Sequence, residues 1–599
     1  MDLSPAKALA VLMAAQVFLS PPGSAFQNPT GLIKDRENLR SALIERLMKN
    51  GRGVCDLPPV QAEGKPPGTI ADERSPSWMA AYSSNLALPG DVATAVEVDR
   101  MSNVYVTGFS YSSATHHDLA TVKYDSRGNL QWIARFVSPE DSGVYPQGIH
   151  VDEKGNVYVA GYTYDRKTLI TECVTVTYDS SGAQRWAVRY RGPGNSSGAT
   201  ALALDQEGSV YITGWTLDKS CAAEYGTIKY DSYGDMRWIA EYGGYNSENT
   251  ARALVVDNAG NVYVTGVGCC AGCRGNWCAT VKYNSSGAQI WAKSYAVIGG
   301  PPSSSVANAI AVGGNRSIYV MGWTDNYQGN GYITLRYDSS GREQWVARYK
   351  GPANSRNSPV GLKIDPLENV YVTGTSWVPG TGSAFATVKY DSSGKERWVA
   401  RYSYQGSSDN AAAGIALDHI GNVYVTGMSG GSGMTNEFAT VRYTPWGLQV
   451  WEARFGAPGY ASNDANAIAV TPGGDVFVTG GSSTRGGHVV YMTVGYSHPS
   501  VTDVDMRTTV FPRAYTLEQN YPNPFNPSTE ISYTIPSADF VTLRVYDPTG
   551  REIATLVSGH RPAGTYKVPF EASKLPSGVY FYRLKAGSFV ETKKLILIR

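Results

Sequence analysis

The sequence predicts an all-β protein: eight copies of one four-stranded unit, then a small second β domain. Three observations carry that reading. A Trp opening an extended run recurs at Trp78, Trp132, Trp186, Trp238, Trp291, Trp345, Trp398 and Trp451, at spacings of 52 to 54 residues. A V-Y-V-T-G-like run starts at Val104, Val157, Val210, Val262, Ile318, Val370, Val423 and Val476. A T-V-K-Y-D-like run starts at Thr121, Thr175, Thr227, Thr280, Thr334, Thr387, Thr440 and Thr493. Each series has eight members, and self-similarity at a fixed period marks a repeat architecture.

Ahead of the repeats, Ala8 to Leu19 is a short apolar run preceded by Lys7 and followed by Gly23-Ser24-Ala25. That pattern reads as a secretory signal peptide over residues 1–25; a cytoplasmic leader is the alternative. Within 26–75, Leu32, Leu39, Leu43 and Leu47 sit at helical spacing, and a Pro-rich linker follows from Leu57.

The repeats occupy 76–498. Each holds four short strands. The first and second meet at Asp-x-x-Gly-Asn turns such as Asp152–Asn156, and the third and fourth at Asp-Ser-Ser-Gly turns such as Asp391–Gly394. Gly supplies the positive φ these hairpins need. Four-stranded antiparallel units at this period match β-propeller blades. The first strand always holds Ala or Gly at one position, Ala95, Gly148, Ala201, Ala253, Ala309, Gly361, Gly414 and Ala467, which is expected to face a crowded centre. The count favours an eight-bladed propeller; a seven-bladed ring with one stray unit is the alternative. Asp152, Asp205, Asp257 and Asp418 are read as turn residues bonding backbone amides, because a calcium loop needs several closely spaced oxygen ligands.

Composition bounds the function. With Lys+Arg 52 against Asp+Glu 51, the net charge is +1, so nothing argues for nucleic acid as a partner. No apolar run is long enough to span a bilayer as a mature helix. A monomer is expected, with no cofactor.

After a linker over 499–514 the composition changes. Six strand-like runs between Glu530 and Ile598 suggest a small Ig-like β-sandwich over 515–599.

The repeats, through N-V-Y-V-T-G and A-T-V-K-Y-D-S-S-G, resemble the bacterial β-propeller repeat (SBBP-type) families, extracellular repeats of unassigned role. The last domain is similar to the C-terminal sorting domain of the type IX secretion system, through Tyr521–Thr529, through Leu575-Pro576-Ser577-Gly578-Val579-Tyr580-Phe581-Tyr582, and through Lys593-Lys594-Leu595-Ile596-Leu597-Ile598-Arg599. That resemblance implies export to the cell surface or beyond, type IX secretion machinery as partner, and a sorting signal carried by Gly578, Tyr580, Lys593, Lys594, Leu595, Ile596 and Leu597. A related Ig-like module of flagellar hook-capping proteins leaves a purely structural role open.

Candidate sites are few. Cys269, Cys270, Cys273 and Cys278 crowd into one loop of the fourth repeat. Adjacent Cys269 and Cys270 suit tetrahedral zinc poorly, and an exported chain meets oxidising conditions, so a loop disulfide is expected rather than a metal site. Cys278 also stands where Phe385 and Phe438 stand in other repeats, a core position. His116-His117-Asp118 lacks a third-ligand pattern. The Asp-Ser-Ser-Gly hairpins look like the Asp-box of sialidase-type propellers, a structural turn remote from catalysis, and no arginine triad accompanies them. No catalytic constellation emerges; Glu97, His150 and Lys363 on first strands are scattered candidates.

The second-to-third and fourth-to-first loops are long and varied, and variable loops on a rigid scaffold are where function concentrates. They bring Tyr162, Trp215, Trp277, Trp323, Tyr327 and Trp377 to one face. Aromatic, hydroxyl-rich loops suit a glycan or protein ligand. The expectation is a non-enzymatic binding module, with a polysaccharide-acting enzyme or a structural spacer as the alternatives.

Overall fold

The computed structural model describes residues 75–497 and 515–598, apart from the segments 85–89, 112–116, 139–141, 244–248, 269–275, 297–303, 327–328, 353–355, 379–381, 405–408, 431–434, 536–538, 562–563 and 588. The expected signal peptide, helix and both linkers lie outside the described residues. The chain divides into two compact units, with the boundary after His498. No helix among the described residues is long and apolar enough to cross a membrane.

The first unit is a β-propeller. Seven of its four-stranded sheets run in chain order from an inner to an outer strand, their inner strands being Val92–Val98, Gly143–Val151, Ser197–Leu204, Thr250–Val256, Ser305–Val312, Asn357–Ile364 and Asn410–Leu417. The eighth is composite. Tyr460–Val470, Val476–Thr484 and Val489–Tyr496 supply three strands, and Trp78–Tyr82 from the start of the unit pairs antiparallel as the outer one, Trp78 opposite Gly495. Inner strands pack on one another in series, and the eighth packs back on the first.

The repeated motif residues have separate tasks. Apolar residues of V-Y-V-T-G and T-V-K-Y lie in sheet-to-sheet cores, as with Val157, Val159, Val174 and Val176. The two motif threonines face each other across the second and third strands, their hydroxyls 2.9–3.1 Å apart in six sheets. The motif tyrosine reaches back to the turn aspartate: Tyr158 donates to Asp152 at 3.2 Å. Asp152 Oδ1 meanwhile accepts the amides of Lys154 and Asn156, the role read for it from sequence.

The tryptophan is a latch between sheets. Indole Nε1 of Trp132, on one outer strand, donates to the Ser180 carbonyl in the next sheet's turn at 3.1 Å, and the same bond recurs from Trp186 to Ser232, Trp238 to Ser285 and Trp345 to Ser392. Trp78 in the composite sheet bonds Ser126 of the first sheet at 3.1 Å, so the closure repeats the internal joint. Gly128 in that turn has φ +83°, and a Cβ on it would lie 2.5 Å from the Trp78 ring. Nearer the centre, Asn466 of the eighth sheet donates to the Ala93 carbonyl of the first at 2.8 Å, as Asn308 does to Pro359 at 3.2 Å.

The Ala/Gly position is crowded for a different reason than the sequence suggests. A Cβ on Gly361 would sit 2.6 Å from Ile415 Cγ2, and one on Gly148 would sit 2.9 Å from Leu202 Cδ2. It faces the neighbouring inner strand, because the edges of the inner strands, not their side-chain faces, point to the axis.

In the second unit, a three-stranded sheet (Thr516–Leu517, Ser528–Ile535, Gly564–Glu571) and a four-stranded one (Glu552–Arg561, Asp539–Tyr546, Gly578–Ala586, Phe589–Leu597) share one core. Ile531, Tyr533 and Phe570 from the first meet Val541, Leu543, Tyr582 and Leu595 from the second.

Candidate functional site

At the end of the ring that carries the second-to-third and fourth-to-first loops, the junction of the first two sheets gathers aromatic rings. Tyr145, on the inner strand of the second sheet, is the cross-strand partner of Tyr162, and their rings stack with centroids 5.1 Å apart and an interplanar angle of 16°. From the first sheet, His117 meets Tyr145 edge-on at 4.7 Å and lies 4.7 Å from Tyr111. Phe109 lies 5.3 Å from His117. Tyr162 and His117 are buried, whereas Phe109, Tyr111 and Tyr145 stay partly exposed. Burial pushes the Tyr145 and Tyr162 phenols up, so both keep their protons at neutral pH. The positive charge of Arg166 beside Tyr145 opposes that shift. The result is an aromatic shelf carrying hydroxyls, with Arg166 beside Tyr145.

Among the described residues, the other aromatics named from sequence do not converge. Tyr162, Trp215, Trp323 and Trp377 belong to second strands, and Trp277 opens a third strand. They are strand residues because the second-to-third ladder runs beyond them, to Tyr164–Thr171, Leu217–Ala223 and Val378–Gly382. Trp215 is buried over Gly198, where a Cβ would lie 2.8 Å from the indole. Trp377 is 45 % exposed, and Tyr327 lies outside the described residues. Sequence reading missed Tyr145, Tyr111 and Phe109. The available signal was register: only the second repeat holds aromatics at both positions of that cross-strand pair.

Cys278 is a free thiol in the core between the fourth and fifth sheets, against Ile318, Val320 and Ile333, and burial pushes its pKa up. It therefore leaves the expected disulfide cluster. Its third-strand register points it at the next sheet, as its alignment with Phe385 suggests. Cys269, Cys270 and Cys273 lie outside the described residues. Asp118 pairs with Arg135 at 2.9 Å, and His116 lies outside the described residues.

Of the scattered inner-strand candidates, two meet. His150 Nδ1 lies 2.7 Å from Glu97 Oε1 across the first two sheets. Burial opposes protonation of His150, but the Glu97 hydrogen bond and charge outweigh it, and its pKa is raised. Lys363 is exposed on the sixth sheet.

In the second unit, Gly578 and Tyr580 begin one strand, and Lys593–Leu597 end the adjacent terminal strand. Leu595 and Leu597 are core residues, and Lys593 pairs with Glu591 at 3.3 Å.

Comparison with known proteins assigns both units. Residues 519–598 match the secretion system C-terminal sorting domain, and 131–165 match the β-propeller repeat. The chain is thus a β-propeller protein exported through type IX secretion to the cell surface or the extracellular space. No curated protein matches it. Among solved structures it is similar to PorZ, a surface component of the type IX secretion system of Porphyromonas gingivalis, at 12 % identity and TM-score 0.27, covering 85 % of this chain and 81 % of that one. It is also similar to the β-propeller domain of the Trilobed protease from Pyrococcus furiosus, at 12 % identity and TM-score 0.37 over 61 % and 98 %. The polysaccharide lyase Uly1 matches at 9 % identity and TM-score 0.39 over 61 % and 91 %. Likenesses this distant transfer none of those activities.

Proposed function

We propose that the chain is a non-enzymatic binding module, an eight-bladed ring over residues 76–498 delivered by the sorting domain over 515–599, and that it binds a glycan at the junction of the first two blades. The observation that carries this is the shelf of Phe109, Tyr111, His117, Tyr145 and Tyr162. The latches that hold blades together elsewhere use Trp and Asn, so the repeat does not need five rings at one joint. Aromatic faces bury the apolar faces of sugar rings, while the phenols and Arg166 offer hydrogen bonds.

The test is a glycan array probed with the purified chain and with a Tyr111→Ala/Tyr145→Ala variant. The expected result is binding to a defined glycan class that the variant loses while its melting temperature stays near the parent's. Undiminished binding by the variant contradicts the site. Glu97 and His150 support a second reading, a polysaccharide-acting enzyme, since a bonded acid–base pair is what such chemistry uses. A hydrolase and lyase assay on any glycan bound, with His150→Ala as control, decides between the two.

A further inference from the structure

The terminal strand Phe589–Leu597 lies at the edge of its sheet, paired on one side with Gly578–Ala586. An edge strand presents unpaired amides and carbonyls that invite another strand. Here the segment Tyr515–Phe525 runs along that edge and occupies it. Tyr515 stacks on Phe589 with centroids 5.2 Å apart. The Leu517 amide donates to Glu591 Oε2 at 3.2 Å. Gln519 Nε2 donates to the Lys594 carbonyl at 2.7 Å. Asn523 Oδ1 accepts the Ile596 amide at 2.8 Å. The Phe525 amide donates to the Ile596 carbonyl, and the Ile598 amide to the Phe525 carbonyl, both at 3.0 Å. The Tyr521–Thr529 motif and the Lys593–Ile598 motif, far apart in sequence, are therefore two sides of one seam.

The seam is not a ladder. Apart from the two Phe525 bonds, side chains of Gln519 and Asn523 stand in for a partner's backbone. Leu517 and Phe525 anchor the segment's two ends in the core and its other side bonds to Ser528–Ile535, but along the edge itself Gln519–Asn523 lacks the continuous pairing a true strand supplies, so a strand of matching register can replace that stretch.

We propose that Gln519–Asn523 is a strap, anchored at Leu517 and Phe525, over the strand-addition edge of the sorting signal, and that the export machinery takes the chain by lifting this stretch and pairing one of its own strand edges with Lys593–Ile598. The inference rests on the sorting function of this unit. The strap keeps the edge from pairing with other chains before delivery, and its removal exposes backbone groups already held in an extended line.

The test uses the full chain in a bacterium with a working type IX system. Asn523→Cys with Ile596→Cys locks the strap to the strand when oxidised; Gln519→Ala with Asn523→Ala loosens it. The locked chain is expected to stay in the periplasm and to be released to the surface when dithiothreitol is added, which also shows that the variant folds. The loosened chain is expected to be exported at least as fast as the parent. Its Ile596 amide should exchange about tenfold faster, the factor that corresponds to about 1.4 kcal/mol, one lost hydrogen bond. Export of the locked chain at the parental rate overturns the proposal. So does loss of export on loosening with the lock harmless, since the strap is then part of what is recognised. A chain lacking 515–599 is the control: if it too reaches the surface, the sorting function itself fails, not the strap.

Discussion

The two units are held together in opposite ways. In the propeller each task is done at least six times by the same residue types: Trp on the next turn's serine carbonyl, Thr facing Thr, Asp folding its own turn. In the sorting domain each task is done once: one asparagine bonds one amide, and one tyrosine caps one phenylalanine. A repeated contact prints itself in the sequence as a period. A single contact leaves no such trace, and only the folded chain shows that Asn523 and Ile596 meet.

The comparison can be pressed first at the closing joint. Trp78 is 7 % exposed and latches the composite sheet to the first one, and its strand is held in the composite sheet by pairing alone, with no covalent link to the neighbouring Val489–Tyr496. Trp78→Ala should cost about 3–5 kcal/mol in denaturant unfolding, and Trp132→Ala, more exposed and on a strand continuous with the rest of its own sheet, clearly less. Equal costs would mean that closure is no weaker than any other seam.

Next comes the inner strand. Gly361→Leu drives a side chain into Ile415 and should cost about 1–3 kcal/mol by overpacking. A melting temperature unchanged from the parent's would put that position elsewhere. Asn466→Ala removes the inner closing bond to Ala93 and should cost about 1 kcal/mol.

The smallest effect is a pH dependence. His150 has its pKa raised in the folded state by Glu97, so the folded ring holds that proton more tightly than the unfolded chain. The stabilisation is full below the unfolded value of about 6.5 and is lost as pH rises through the folded value. Glu97→Gln should flatten that slope; an unaltered profile would assign it to another group.

What could be read in advance follows the same division. Strand order and turn chemistry are legible because eight copies can be compared. The aromatics are legible as residues but not as a site: Trp215 and Tyr162 follow the V-Y-V-T-G motif where a loop is expected, but the ladder outruns the motif that announces it. Cys278 has two readings in the sequence, one with the neighbouring cysteines and one with Phe385 and Phe438 in the core, and its third-strand register decides for the core. Tyr145 was missed because its importance lies in its cross-strand partner, not in its own repeat position.

The most direct measurement is on a chain ending at Ser497. If a self-sufficient ring is joined to a separable address, this truncated protein unfolds cooperatively at the temperature of the propeller in the parent, and it accumulates in the periplasm. A truncated chain that still reaches the cell surface, or a ring that fails to fold without residues 515–599, would contradict the account.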